Sequence, residues 1–368
     1  MSDVRVAKLA DLLVNYSNEV QPGDWSVIMG EVVCLPLLRE IYRSVLKAGG
    51  NPEIVLSDPD STFLRVQTGN DDQLNWVSPL QKMALDKADV LFRILGTTNT
   101  RRLSNADPDR LSTMKAAGRP VFENYIRRAS TGELRWVIAR FPTEANAQEA
   151  EMSLMEYEDF VFRACLLEEA DPMAAWRKVQ AEQDRIVEWL AGKRKLLAKG
   201  PNLDLTMSIE DRPFINCRGD DNMPDGEVFT SPVEGSVEGW IRFSYPSIDS
   251  GRKVEGIELE IKAGRVVEAR AEKGQDYLLS KLDVDEGARG IGEFAIGTNY
   301  GIDRATGDVL FDEKIGGTVH MAIGHGVPEA GGTNTSSIHW DIVTDMKDGG
   351  QIWVDDELLY ENGQFAIL

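Results

Sequence analysis

Three histidines, the only ones in the 368-residue chain, lie within one stretch of 20 residues, at His320, His325 and His339. Imidazole is the commonest side-chain metal ligand near neutral pH. His339 is followed two residues later by Asp341. In a β-strand, residues two apart project to the same face, so this pair could share one ion. We therefore expect the chemistry of the protein in this region.

Two glutamates in glycine-rich segments extend the candidate ligand set. Glu227 lies in NMPDGEVFTSPVEGS, and Glu293 lies in GARGIGEFAIGTNYGI. Carboxylates combined with imidazoles form a mixed oxygen and nitrogen set, which suits zinc, cobalt, manganese or iron better than calcium or magnesium. The segment GIGEFAIG lacks the third position of the dinucleotide-binding fingerprint, so that interpretation is excluded.

The first half of the chain alternates helical and extended patterns. Apolar spacing predicts helices over 5–20, 34–50, 72–88 and 108–117. Short apolar runs predict strands over 25–31, 52–57 and 90–96. Strands that alternate with helices indicate a parallel sheet with helices on its faces.

The second half has a different pattern. Residues 153–198 are predicted to be mostly helical, and a boundary is expected near Gly200-Pro201. Polar and apolar residues then alternate over 203–217, 239–245, 256–272 and 351–368, with hairpin turns at 262–265 and 361–364. We predict two domains. An α/β N-terminal domain with a mainly parallel sheet spans 1–200, and an α+β catalytic domain with a largely antiparallel sheet spans 201–368.

Composition limits the partners and the compartment. The formal charge of −21 and the pI near 4.6 argue against binding to nucleic acid or to an anionic membrane surface. No apolar run approaches the ~20 residues that span a bilayer, and the N-terminus does not have the pattern of a secretory signal. Three scattered cysteines imply no disulfide framework. We expect a cytoplasmic protein.

Several long segments together resemble the thermophilic-type metalloaminopeptidases, the family of aminopeptidase T and aminopeptidase S. The matching segments are MPDGEVFTSPVEGSVEGWIRF, GRVVEARAEKGQDYL, DEGARGIGEFAIGTNYGI, LFDEKIGGTVHMAIG and GGTNTSSIHWDIVTDM. EYEDFVFRAC and DPMAAWRKVQAEQDRIVEWL also fit, so the resemblance covers at least residues 153–368.

The resemblance implies a cytoplasmic, homodimeric exopeptidase with two divalent metal ions, of zinc, cobalt or manganese. Its substrates would be peptides with a free N-terminus, from which apolar N-terminal residues are released. The metal ligands of the family correspond to Glu227, Glu293, His320, His339 and Asp341, and all five are present. Either Glu227 or Glu293 is expected to move the proton from the attacking water to the leaving amine.

One departure from the family pattern affects the catalytic residues. The family usually has a tyrosine seven residues after the first ligand histidine, and Val327 stands there in this chain. His325 occupies the place of the usual arginine in the same loop. Without the tyrosine, we expect His325 or Tyr300 to stabilise the oxyanion.

Two alternatives remain open at the level of sequence. His320, His339 and Asp341 form the two-histidine, one-carboxylate set of mononuclear non-haem iron(II) oxygenases, and ring-cleaving dioxygenases resemble this peptidase family. The other alternative is an inactive, metal-binding dimeric scaffold that lost activity together with the tyrosine.

Overall fold

A computed structural model describes residues 3–249 and 251–368 of the chain. It divides into two compact units, the first made of 3–173 with Gly219–Pro224, and the second of Ala174–Arg218 with Asp225–Leu368. The break therefore falls about one helix earlier than the position near 200 predicted from the sequence. The reason is that the helix Pro172–Leu190 places Ile186 and Leu190 in the hydrophobic core of the second unit.

The first unit is built around a parallel five-stranded sheet. Its strands, in sheet order, are Asn51–Ser57, Trp25–Glu31, Val90–Leu95, Arg135–Arg140 and Asn222–Met223. All four pairings are parallel. The central strand Val90–Leu95 is mostly buried and apolar, as expected for a parallel strand covered on both faces. The predicted α/β architecture of this part of the chain is confirmed.

The helices of the first unit differ from the sequence prediction in several places, and those at Pro59–Thr68 and Glu144–Glu149 are not predicted at all. The structure has helices at Val4–Leu12, Leu35–Ala48, Pro59–Thr68, Asp71–Asn75, Pro79–Lys87, Pro108–Ser130, Glu144–Glu149 and Leu154–Ala164, a π-helical turn at Leu13–Ser17 and a 3-10 turn at Val32–Cys34. The helix predicted over 72–88 is interrupted, because Ser78 caps a new helix that starts at Pro79. The helix predicted to end at 117 continues to Ser130 through Pro120, because Arg128 near its end is held by the carbonyl oxygens of Leu85 and Ala88.

An antiparallel eight-stranded sheet forms one layer of the second unit. Its strands, in sheet order, are Arg265–Arg270, Glu258–Lys262, Glu238–Arg242, Leu203–Ser208, Lys195–Gly200, Gln351–Val354, Glu357–Glu361 and Gln364–Phe365. The segment 195–200 was predicted to be helical, but the helix ends at Leu190, Gly192 adopts φ +76°, and the segment pairs with Leu203–Ser208. The predicted hairpins at 262–265 and 361–364 are confirmed.

A second, five-stranded antiparallel sheet carries the five predicted metal ligands. Its strands, in sheet order, are His339–Asp345, Thr318–Gly324, Ile291–Gly297, Glu227–Thr230 and Ile215–Cys217. The unit also contains a strand pair at Ser247–Asp249 and Arg252–Val254, helices at Gln275–Leu282 and Val309–Asp312, and a 3-10 turn at Pro328–Ala330. Residues such as Phe294, Met321 and Ile342 join the core shared with the eight-stranded sheet. The other face carries polar side chains.

A β-bulge at Gly292 decides which face Glu293 occupies. Ile291 pairs with Ile323, which belongs to the core face, whereas Glu293 pairs with Ala322, which belongs to the opposite face. Residues two apart normally share a face, so without the extra residue Glu293 would point into the hydrophobic core. The bulge therefore converts a core position into a polar one.

Gly292→Ala should disrupt this bulge. A Cβ at position 292 would lie 2.1 Å from the carbonyl oxygen of His325, so the backbone has to move. We expect a loss of about 2 kcal/mol or more of unfolding free energy, together with weaker metal binding. Denaturant unfolding and metal titration measure the two effects. Gly118→Ala is the control, since a Cβ at this helical position meets open space and should leave both properties unchanged or slightly raise stability.

Candidate metal centre

Five side chains share the polar face of the second five-stranded sheet, and strand register brings them together. They are Glu227, Glu293, His320, His339 and Asp341. Ala322 lies opposite Glu293 on one neighbouring strand and opposite Asp341 on the other. Because directly paired residues project to the same side of a sheet, both carboxylates point to one face. All five residues proposed as ligands from the sequence thus meet in space.

The first group of potential ligands is fully buried. Glu227, Glu293 and His320 have ligand atoms that all lie within 4.8 Å of one another. The Nε2 atom of His320 lies 3.1 Å from Oε1 of Glu293 and 3.5 Å from Oε2 of Glu227. The geometry fits a cation held between one imidazole and two carboxylates.

A second group adjoins the first and shares one member with it. Glu293, His339 and Asp341 also have ligand atoms within 4.8 Å of one another. The Nε2 atom of His339 lies 3.5 Å from Oε2 of Glu293 and 3.4 Å from Oδ1 of Asp341. Since Glu293 directs one oxygen towards each histidine, it can bridge two cation positions.

Backbone carbonyl groups orient both imidazole rings. The Nδ1 atom of His320 lies 3.1 Å from the carbonyl oxygen of Glu313, and Nδ1 of His339 lies 2.8 Å from that of His325. A carbonyl oxygen can only accept, so Nδ1 carries a hydrogen in both rings. In a neutral ring the lone pair is then on Nε2, which faces the carboxylates, as in metal-binding histidines whose other nitrogen is fixed by a second partner.

Two buried carboxylate oxygens in the cluster accept no hydrogen bond, which fits a role in binding a cation. They are Oε2 of Glu227 and Oδ1 of Asp341. A buried polar atom without a partner is costly in free energy, so such an atom beside two imidazoles is evidence that the donor set fits a metal ion. Mixed imidazole and carboxylate sets suit transition-metal ions such as zinc or manganese.

The electrostatics of the cluster favour positive charge. Burial lowers the pKa of His320, but its hydrogen bond to Glu293 and the nearby charges of Glu227 and Asp341 outweigh burial and raise the pKa to about 9. Burial likewise lowers the pKa of His339, while Asp341 and Glu293 raise it to about 10. Burial raises the pKa of Glu293. Without a metal the cluster binds protons, and a divalent ion would displace them.

The structure adds three residues that the sequence analysis did not single out. Lys314 is buried, and its Nζ atom lies 2.5 Å from Oε1 of Glu227, 2.8 Å from Oε1 of Glu313 and 3.5 Å from Oδ1 of Asp225. Glu313 also forms a potential ligand group with His320 and Asp341. These residues stand in the segments MPDGEV and DEKIGGTVH, next to the predicted ligands, so their position in the sequence was the available signal.

One of the two candidate oxyanion donors, Tyr300, has another partner. The Tyr300 hydroxyl donates its single proton to the carbonyl oxygen of Gly363 at 2.8 Å, so in this structure it is not free to stabilise an oxyanion. His325 contributes its backbone, since its carbonyl oxygen accepts from His339. Val327 packs against a small apolar cluster that includes Phe229 and Ala295.

Asp285 anchors the segment that leads into His339. Its Oδ1 atom accepts from the Ser336 hydroxyl at 2.9 Å, and its Oδ2 atom accepts from the backbone N–H and the hydroxyl of Ser337 at 2.7 and 2.6 Å. The Ser337 hydrogen bonds, followed by the backbone donor and Ser336, lower the pKa of Asp285 to about 2. Asp285 therefore helps to fix the start of the strand that carries His339 and Asp341, two of the potential ligands.

Asp285→Asn should destabilise the protein in a pH-dependent way. The folded pKa of about 2 lies below the unfolded value of about 3.9. The ionised carboxylate therefore stabilises the fold above about pH 4, and this contribution is lost as the pH falls towards 2. Thermal unfolding at pH 6 and at pH 3 should show a larger difference between wild type and variant at pH 6. A destabilisation of the same size at pH 6 and at pH 3 would contradict this role of Asp285. Asp348→Asn, at an exposed position, is the control and should show no pH-dependent destabilisation.

Comparison with known proteins shows the family to which the chain belongs. The model of the thermophilic metalloprotease family M29 matches residues 2–365. The chain therefore belongs to the M29 family of thermophilic metalloproteases, and the resemblance seen in the sequence is confirmed.

Several relatives are similar over most of their length. Aminopeptidase 2 of Geobacillus stearothermophilus is 25% identical over 93% of this chain and 92% of its own. Aminopeptidase T of Thermus aquaticus is 29% identical over 88% of this chain and 85% of its own. The solved structure of wild-type AmpT from Thermus thermophilus covers 99% of both chains with a TM-score of 0.84 and 23% identity, which confirms the fold.

The oxygenase alternative receives no support from these comparisons. The matching family is a metalloprotease family, and the relatives just described are named as aminopeptidases. The geometry also differs from a set of two histidines and one carboxylate, because Glu227 and Glu293 lie beside the imidazoles as well.

Proposed function

We propose that the protein is a metal-dependent aminopeptidase whose two divalent ions are held by Glu227, Glu293, His320, His339 and Asp341. The observation that carries this proposal is the pair of adjoining ligand groups that share Glu293. Such an arrangement is typical of hydrolases with two metals. The family and the names of the relatives support the reaction class.

The charge of the cluster supports the count of two ions. Five carboxyl groups and one ammonium group lie in contact with one another or with the two imidazoles. If all the carboxyl groups are ionised, four negative charges remain, and two divalent cations would balance them. Zinc, cobalt and manganese all suit the mixed donor set.

The residues of the site have distinct roles in this proposal. Divalent ions held here would lower the pKa of a bound water and polarise the scissile carbonyl group. Glu293 links the two ligand groups, and the two histidines present Nε2 to them. Glu227 and Glu293 are the candidates for moving a proton to the leaving amine, because both are carboxylates within reach of the ligand atoms of the site.

A small apolar cluster beside the potential ligands, in which Val327 is partly exposed, supports a preference for apolar N-terminal residues. Phe229 pairs with Ala295, and Ala295 pairs with His320, so all three point to the ligand face. Val327 and Ala330 pack against Phe229 and Ala295. A substrate side chain of the leucine type would be buried favourably against Val327, the partly exposed member of this cluster.

His320→Ala and Asp341→Ala should each abolish hydrolysis of leucine p-nitroanilide and lower the amount of bound metal. Each change removes a ligand, and we expect a fall of at least about 1000-fold in kcat/KM because the metal is required for water activation. Elemental analysis and the hydrolysis assay give the two readouts. The exposed Asp348→Asn should match wild type in both. Full activity in either ligand variant would refute the assignment, and a metal-loaded wild type without activity on any aminoacyl substrate would indicate the inactive scaffold.

Val327→Phe should change substrate preference. The larger side chain would occupy space beside Phe229 and Ala295, so leucyl substrates should lose more than alanyl substrates. We expect the ratio of kcat/KM for leucyl over alanyl p-nitroanilide to fall by about tenfold or more, mainly through KM. Val267→Phe, at an exposed strand position, is the matched control. An unchanged ratio would show that the substrate side chain does not contact this apolar cluster.

Assembly and location remain proposals of the same kind. We propose a homodimer, supported by exposed apolar side chains on two neighbouring helices of the first unit, namely Leu80, Met83, Phe122 and Ile126. In residues 3–249 and 251–368, no helix is both long enough and apolar enough to cross a membrane. A cytoplasmic location is supported by three cysteines that form no disulfide in the described part of the chain.

A further inference from the structure

Lys314 places a permanent positive charge inside the carboxylate cluster. Its side chain is 2% exposed, and its ammonium group contacts carboxylates of Glu227, Glu313 and Asp225. A buried lysine keeps its charge only when such partners offset the loss of hydration. The ammonium group therefore already occupies one cation position in this part of the site.

The contact divides the two oxygens of Glu227 between different partners. Oε1 accepts from Lys314 at 2.5 Å. Oε2 lies 3.5 Å from Nε2 of His320 and accepts no hydrogen bond. Glu227 can therefore offer one oxygen to a metal ion, while the other is held by the lysine.

The second ligand group lacks an equivalent lysine. In the described part of the chain, neither Glu293 nor Asp341 forms an ion pair with a lysine or an arginine, and their close cationic partners are the two imidazoles. Oδ1 of Asp341 accepts no hydrogen bond. An ion at Glu293, His339 and Asp341 would meet carboxylates that no ammonium group contacts.

We propose that Lys314 makes the two ion positions unequal, so that the ion beside Glu227 is the weaker and more readily exchanged one. Two effects act in the same direction. The ammonium group repels a nearby divalent ion, and a low effective dielectric strengthens this repulsion in a buried site. The lysine also removes one Glu227 oxygen from the ligand set. The inference rests on the proposed two-ion site, and it assigns a role to a residue that contacts a ligand rather than the substrate.

The test is direct titration of the metal-free full-length protein with Mn²⁺, in which electron paramagnetic resonance counts free and bound ions. Wild type should show two classes of site whose dissociation constants differ by at least about tenfold. Glu227→Gln should remove the weaker class and keep the tighter one. Asp341→Asn should raise the dissociation constant of the tighter class more than that of the weaker class. These two variants locate the classes without any change to Lys314.

Replacement of the lysine tests its role. Lys314→Met keeps the approximate length of the side chain and removes the charge, so the weaker dissociation constant should fall by at least about tenfold and the two classes should converge. Lys314→Arg keeps the charge and should keep the classes apart. Lys273→Met, an exposed lysine paired with Glu255, is the matched control and should behave as wild type. Circular dichroism confirms that each variant is folded before titration.

Three results would overturn the inference. They are equal affinities in wild type, loss of the tighter class alone in Glu227→Gln, and two classes in Lys314→Met that stay as far apart as in wild type. Because the readout is bound metal, it is independent of hydrolysis. Unequal sites in a protein that cleaves no aminoacyl substrate would refute the proposed function and leave the role of Lys314 intact. Hydrolysis by a protein whose two sites bind metal equally would refute the role of Lys314 and leave the proposed function intact.

Discussion

The concentration of carboxylates on one buried sheet face is the constraint on which the site depends. Glu227, Glu293 and Asp341 approach the imidazoles of His320 and His339 closely enough to repel one another unless cations neutralise them. Burial strengthens that repulsion, because the surroundings screen charge poorly. In the described structure, raised histidine pKa values and the buried ammonium group of Lys314 show how strongly this face favours positive charge.

The two faces of one sheet perform separate tasks. The core face buries apolar residues such as Phe294, Met321 and Ile342 against the eight-stranded sheet, and this burial supplies the free energy that holds the strands. The other face carries the potential ligands at alternate positions of the same strands. Because stability comes from the core face, the polar face can gather like charges without the strands separating. The bulge at Gly292 shifts the alternation of core and polar side chains by one residue, and it thereby moves Glu293 from the core face to the polar face.

Sequence patterns predicted the fold class well where periodicity was strong. The parallel strands 25–31 and 90–95 and the hairpins near Gly264 and Gly363 agree with the prediction. The failures have local physical causes. KLLAKG follows an amphipathic helix and contains good helix formers, but it pairs with two neighbouring strands, and this pairing outweighs its helical propensity. The helix through Pro120 survives because its own Tyr125 packs into a hydrophobic cluster and its own Arg128 donates to the carbonyl oxygens of Leu85 and Ala88.

The five potential ligands could be named from the sequence, because the distinctive glycine-rich segments that hold these histidines and acidic residues resemble those of the family. Their arrangement depends on tertiary structure. Glu227 and Asp341 are 114 positions apart, and only strand register decides that they meet, that Glu293 stands between the two histidines, and that Lys314 holds one oxygen of Glu227. Residue types limit the possible chemistry, whereas long-range pairing of strands sets the distances on which that chemistry depends.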